Sequence, residues 1–268
     1  MYPRAIIFGI DLYTILLCVG IIAALLTFRI FSDRNKTYWK LQNFTIITAV
    51  VSITAGYGSA ALFQAFYNFL ADRESGFHFK GTTFYGGLVG GAATFLLVYF
   101  VVGRFIFKDK IHIKGFFPTA NIAAASIAVA HAFGRVGCLM AGCCHGARTD
   151  AWYGVYFVNK GFKAVPIQLY EAIFLFALFG FFCYRLIKNK PYNLPIYMMV
   201  YGAWRFVIEY FRGDKRGATI VSFLTPSQLI ALLMILGSVG VFLLERRLNK
   251  KLLSTQKDEG ENENEDKV

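Results

Sequence analysis

Ser222 to Leu244, SFLTPSQLIALLMILGSVGVFLL, is a run of 23 residues without one charged side chain. At about 1.5 Å per residue it makes about 34 Å of helix, enough to cross a hydrocarbon layer about 30 Å thick. Working back along the chain, comparable apolar runs lie near 5–28, 44–70, 84–107, 118–138, 166–186 and 194–211. The sequence therefore reads as an all-α polytopic membrane protein with about seven transmembrane helices. Composition agrees: 56% of the 268 residues are hydrophobic and 16% charged, with mean hydropathy +0.50, which argues against a soluble globular domain. The fourth run differs from the others, being rich in Ala, Ser and Gly and interrupted by His131 and Arg135. Its small residues suggest close helix packing. The first run has little basic character before it and no small-residue cleavage site after it, so it reads as a retained helix.

Net charge is +12, but the segment from Lys257 holds two lysines and six acids, so the remainder carries +16. In an apolar chain that excess points to anionic lipid headgroups and to topology, not to nucleic acid. Seventeen Lys and Arg fall in loops one, three and five and the C-terminal segment, against ten on the opposite side. The positive-inside rule then places the N-terminus outside and the C-terminus in the cytoplasm. Residues 1–254 read as one membrane-embedded domain, and 255–268 as a disordered acidic cytoplasmic tail.

Ionisable residues in an apolar span are costly and usually face a cavity or a partner, so their positions carry the functional information. Arg135 follows an apolar helix in Gly134-Arg135-Val136-Gly137, with no acid in its own segment, which favours an anion such as phosphate over a structural pair. In the sixth run, Tyr201, Arg205, Glu209 and Arg212 fall within about 80° of one another at about 100° per residue, on one helical face. Arg205 and Glu209 are i and i+4, so an ion pair is the structural reading, but two arginines on that face exceed one carboxylate. With Arg135 they suggest an anionic pocket fitted to a phospholipid headgroup. Span three opens with Thr83-Phe84-Tyr85-Gly86-Gly87-Leu88-Val89-Gly90-Gly91, whose glycines admit close approach by a helix or a ligand.

Cys138, Cys143, Cys144 and His145 have metal-ligand chemistry, but the distant second ligand pair of a typical zinc site is missing. Packing or a local disulfide is favoured there over a metal or redox role. Cys18 and Cys183 sit in other spans and read as small apolar residues.

These motifs together resemble the bacterial prolipoprotein diacylglyceryl transferase family. Gly134 to Gly146 is similar to its signature, Pro166 to Glu171 to its proline, glutamine, leucine, tyrosine, glutamate motif, and Tyr201 to Arg212 to its charged helix. Phe84 to Gly90 and Phe66-Tyr67-Asn68 resemble its motifs in spans three and two. The resemblance implies transfer of the diacylglyceryl group of phosphatidylglycerol to the lipobox cysteine of preprolipoproteins, with release of glycerol phosphate. It implies an enzyme in the bacterial cell (inner) membrane, facing the outer leaflet, with no cofactor and no metal. It assigns Tyr85, Arg135 and Arg205 to catalysis, and Tyr13, Gly86, Gly87, Gly146, Gln168, Tyr201, Glu209 and Arg212 to substrate. Three positions depart from the family pattern: Tyr85 stands where a histidine proposed as base is expected, Cys138 replaces an asparagine and Cys143 a glutamate. A tyrosine, with an ordinary pKa of about 10, needs nearby cations to act as a base. The departures leave room for a divergent relative with another acceptor, and the cysteines for a redox or metal-handling membrane protein. A transporter is a weaker alternative, since no inverted repeat is visible.

Overall fold

A computed structural model describes residues 5–7, 9–73, 76–79, 81, 83–213 and 224–265. A short β1 (Ala5–Ile7) and β2 (Ile10–Asp11) precede α1 (Leu12–Arg34) and α2 (Trp39–Ala71). Next come α3 (Phe84–Leu97), a π-helical turn (Val98–Val102), α4 (Gly103–Ile106) and α5 (Ile111–Lys114). Then follow α6 (Phe116–Ala141), the β3 (Val155–Phe157)–β4 (Phe162–Ala164) hairpin, α7 (Ile167–Ile187), α8 (Asn193–Ile208) and α9 (Pro226–Glu265). Among the described residues six helical stretches are long and apolar enough to cross a membrane: 12–34, 39–70, 86–106, 116–141, 167–187 and 226–251. The seventh expected span is α8, which ends at Ile208 and gives way to a 3-10 turn over Glu209–Phe211. Its 16 residues make about 24 Å, short of a full crossing. The backbone of α9 stays helical to Glu265; Lys, Glu and Gln in its last turns are good helix formers. Arg4, Lys80, Lys215, Arg216 and Lys267, which entered the charge count, lie outside the described residues.

The chain forms two compact units, Ser32–Thr119 and Met1–Phe31 with Ala120–Val268. Both parts are built of equally apolar helices, so composition does not mark the boundary.

In the unit 32–119, α2 and α3 pack at backbone distance. A Cβ on Gly56 would lie 2.9 Å from the Gly87 carbonyl oxygen, and one on Gly86 would lie 2.6 Å from Phe63 Cβ. Three hydroxyls on α2 are satisfied within the helix, Thr45, Thr48 and Ser52 each donating to the carbonyl four residues back. None of the three is left as an open donor in an apolar span. The π-helical turn carries Tyr99 into a core with Leu41, Phe44 and Phe107, and its hydroxyl donates to the His112 carbonyl at 3.0 Å.

In the other unit the small residues of α6 do what their size predicts: Ala124, Ala125, Ala128 and Ala132 are fully buried. Gly20 of α1 meets Ala130 and Phe133 of α6 so closely that a Cβ would stand 2.9 Å from Phe133 Cβ. Gly202 brings α8 against Ala231 and Ile235 of α9. Near one end, Asn121 donates to Glu245 at 2.7 Å and accepts from the Leu194 amide at 3.0 Å, tying α6, α8 and α9 together.

Candidate active site

Four side chains on α6, α7 and α8 build the first part of the site. Arg135 Nε on α6 lies 3.1 Å from Glu171 Oε2 on α7, and the Tyr201 hydroxyl on α8 donates to Glu171 Oε1 at 2.8 Å. His131, one turn before Arg135, places Nε2 3.4 Å from the Tyr201 hydroxyl and Nδ1 3.4 Å from the Tyr197 hydroxyl. The Tyr197 and Tyr201 rings are nearly parallel, 5.7 Å apart. Glu171 is 1% exposed, so its charge is stable only because a guanidinium and a hydroxyl hold both oxygens. Arg135 thus has a carboxylate partner, contrary to the sequence expectation, and the partner sits on the following long helix.

The second part forms where α8 gives out. Arg205 Nη2 pairs with Glu209 Oε2 at 2.7 Å and donates to Ser227 Oγ at 2.9 Å, while Thr225 donates to Glu209 Oε1 at 3.1 Å. Arg212 Nε lies 3.8 Å from the same Glu209 oxygen. Of the four residues expected on one helical face, Arg205, Glu209 and Arg212 converge here, by a different route, while Tyr201 turns to Glu171. Arg212 is in extended backbone (φ −78°, ψ 143°), and the 3-10 turn, not helical periodicity, swings it back to Glu209. Two arginines therefore approach one carboxylate. Arg205 Nη1 is buried without a hydrogen-bond partner among the described residues.

The loop after α6 closes around this end. The Gly146 amide donates to the Val165 carbonyl at 2.9 Å, Gly146 bridges to Arg212, and the Ala147 amide donates to the Phe211 carbonyl at 3.0 Å. A Cβ on Gly146 would meet the Val165 and Phe211 oxygens and Ile167 at 2.8–2.9 Å, so only glycine fits this three-way junction. The fully buried Gln168 donates to the Cys143 carbonyl, fixing the cysteine loop from α7. The Sγ atoms of Cys138, Cys143 and Cys144 lie within 4.8 Å of one another, and all three thiols are free. Hydrogen bonds with Cys138 and Cys143, and then the Arg212 guanidinium, hold the Cys144 thiol well below the usual thiol range. His145 turns away from the thiols: its ring packs against Phe157 and Phe162.

Arg135, Gln168, Tyr201, Arg205, Glu209, Arg212 and Gly146 thus belong to one unit, as does Tyr13, whose ring lies against Gly137 on α6. Gly86 and Gly87 belong to the other unit, where their open faces meet α2. Tyr85 begins α3 there, and its side chain lies outside the described residues.

The sequence model of prolipoprotein diacylglyceryl transferases matches residues 4–244, nearly the whole chain and every element of this site. The chain belongs to the prolipoprotein diacylglyceryl transferase family. It is 31% identical over 257 residues to a Clostridium perfringens protein named phosphatidylglycerol–prolipoprotein diacylglyceryl transferase 2, covering 91% of this chain and 95% of that one. A Clostridium tetani protein named phosphatidylglycerol–prolipoprotein diacylglyceryl transferase is 30% identical, covering 90% and 96%. A Clostridioides difficile protein of that name is 27% identical, covering 93% and 97%. As a member of this family the chain is a membrane-embedded transferase.

Within the prolipoprotein diacylglyceryl transferase site, sequence reasoning missed Glu171 as the partner of Arg135, His131 as the link between two tyrosines, and the Ser227 and Thr225 hydroxyls. A carboxylate in the otherwise apolar run 166–186 was the signal for Glu171, since such a group needs a cation nearby. Ser227 and Thr225 carry no such signal, since hydroxyls at the start of an apolar run are commonly satisfied by the helix itself.

Proposed function

We propose that this chain transfers the diacylglyceryl group of phosphatidylglycerol to the thiol of a lipobox cysteine, releasing glycerol phosphate. The carrying observation is Arg205, which spends Nη2 on Glu209 and Ser227 and keeps a buried Nη1 donor without a hydrogen-bond partner among the described residues. A phospholipid phosphate brings a negative charge and acceptor oxygens that suit this donor. As the carbon–oxygen bond to phosphate breaks, charge grows on the departing oxygen, and donors fixed by Glu209 and Ser227 stabilise that growth without reorganising. Glu171 and Tyr201 hold Arg135 in place beside it.

The reading includes a direction across the membrane. Seventeen of the basic residues fall on one side, which puts the N-terminus and the site toward the outer leaflet of the bacterial cell membrane, where secreted lipobox peptides emerge. Tyr85 occupies the place of the family's histidine and is the proposed proton acceptor for the incoming thiol. The deciding experiment incubates the purified protein with a synthetic lipobox peptide in phosphatidylglycerol micelles and reads intact peptide mass and glycerol phosphate. A gain of one diacylglyceryl unit on the cysteine supports the reading; no gain, with an active family member alongside, overturns it. Run in the same assay, Tyr85→Phe removes only the hydroxyl, and full activity would exclude that group as an essential acceptor.

A further inference from the structure

We propose that Cys138, Cys143 and Cys144 bind a zinc ion whose fourth position takes the lipobox thiol and delivers it as a thiolate to the lipid. The inference rests on the transfer reading above and departs from the expectation of a metal-free site.

Geometry comes first. Two thiolates at about 2.3 Å from a tetrahedral zinc stand about 3.8 Å apart. The three Sγ atoms already lie within 4.8 Å of one another, so a small rotation of side chains closes the set. Their convergence requires unusual backbone: Gly142 has φ +70° and Cys144 φ +61°, two left-handed residues that fold the loop back on the last turn of α6. A non-glycine residue in that region is strained, and the strain is held from outside the loop. Asn159 donates to the Ala141 and Gly142 carbonyls at 3.2 and 3.3 Å, and Gln168 grips the Cys143 carbonyl. This is the outer support that orients thiolate ligands in metal sites.

Charge agrees with geometry. Three thiolates and a divalent cation sum to −1, a charge that the guanidinium groups of the same unit offset. Thiolate donors select zinc and other soft cations over magnesium or calcium. Three protein ligands leave a fourth position free, the arrangement of catalytic zinc, and exposed Cys143 marks the side from which a peptide enters. Cys138 lies one helical turn beyond Arg135, so a thiolate held there is next to the guanidinium groups that receive the phosphate.

The chemistry balances without any redox step. A thiol that coordinates zinc loses its proton. The sulfur then attacks the glyceryl carbon, a carbon–sulfur bond forms, the carbon–oxygen bond to phosphate breaks, and the proton first taken up by the acceptor proposed above passes to the departing glycerol phosphate. Zinc is unchanged.

The full-length protein, purified reduced in detergent with zinc, is expected to retain about one metal per chain by elemental analysis. The Cys138→Ser, Cys143→Ser, Cys144→Ser triple variant should retain less than about a tenth of that, and Gln168→Ala should weaken affinity about tenfold. In the cobalt-substituted wild type, lipobox peptide should change the visible cobalt bands, while a peptide with serine at the lipobox cysteine should not. Peptide diacylation is measured on the same samples. A reduced wild type that transfers the lipid yet binds neither zinc nor cobalt overturns the metal site and leaves the transfer reading standing. Metal binding without peptide response overturns the thiol-activating role. Metal and peptide binding with no transfer overturns the reading of the reaction itself. Because the peptide response is read on wild type, a triple variant that fails to fold does not decide the matter.

Discussion

Glu209 is the residue on which two cations converge, and its neighbour Arg205 is the sharper probe of function. Arg205→Ala should leave the protein inserted but lower lipid transfer by at least about a hundredfold, the scale of losing a fixed donor to developing charge. Unchanged peptide mass gain in that variant would sink the phosphate assignment. Glu171 tests structure instead. Glu171→Gln leaves Arg135 buried without its carboxylate and should cost about 3–5 kcal/mol of stability, read by unfolding in detergent. Adding Arg135→Gln should recover part of that loss, since the stranded charge is then gone. At this scale the sequence showed the Arg205–Glu209 pair, because an i and i+4 spacing is local. It hid the Arg135–Glu171 pair, because which helices become neighbours is not written in either segment.

Helix boundaries follow the apolar runs where lipid sets the length, and depart from them where side chains compete for the backbone. α8 is the clearest case. Glu209 and Arg212 continue the helical spacing of Tyr201 and Arg205, so periodicity predicts one helix to residue 212. Their shared ion pair, and the pairing of Arg212 with Gly146, instead draw the chain into a 3-10 turn and an extended residue. The α2–α3 contact shows the opposite: the glycines of span three left a helix or a ligand open as the approaching group, and the group that approaches Gly86 and Gly87 is the helix α2. Gly56→Leu should push α2 from α3 and destabilise the protein by about 1–3 kcal/mol, the range for overpacking a close contact. A melting temperature in detergent unchanged from wild type would show that the contact does not carry stability.

Across the whole molecule, the balance of basic loops is a claim about sides that labelling checks directly. In a variant whose five native cysteines are replaced by serine, a cysteine introduced in loop one, at Lys36, should react with a membrane-impermeant maleimide only after the cells are permeabilised. Reaction in intact cells would reverse the orientation. The all-α membrane class was legible from composition, whereas the division at Phe31 and Thr119 was not, since no change in hydropathy accompanies it. The short α8 has a consequence for the lipid as well. A helix about 24 Å long in a layer about 30 Å thick leaves a hydrophobic mismatch, which thinning of the membrane beside that helix would relieve. Headgroups would then dip toward the level of Arg205, and the substrate would not have to be lifted out of its leaflet to reach the guanidinium groups. Transfer should accordingly slow in reconstituted vesicles as acyl chains lengthen, and the bilayer itself becomes a setting on the enzyme's rate.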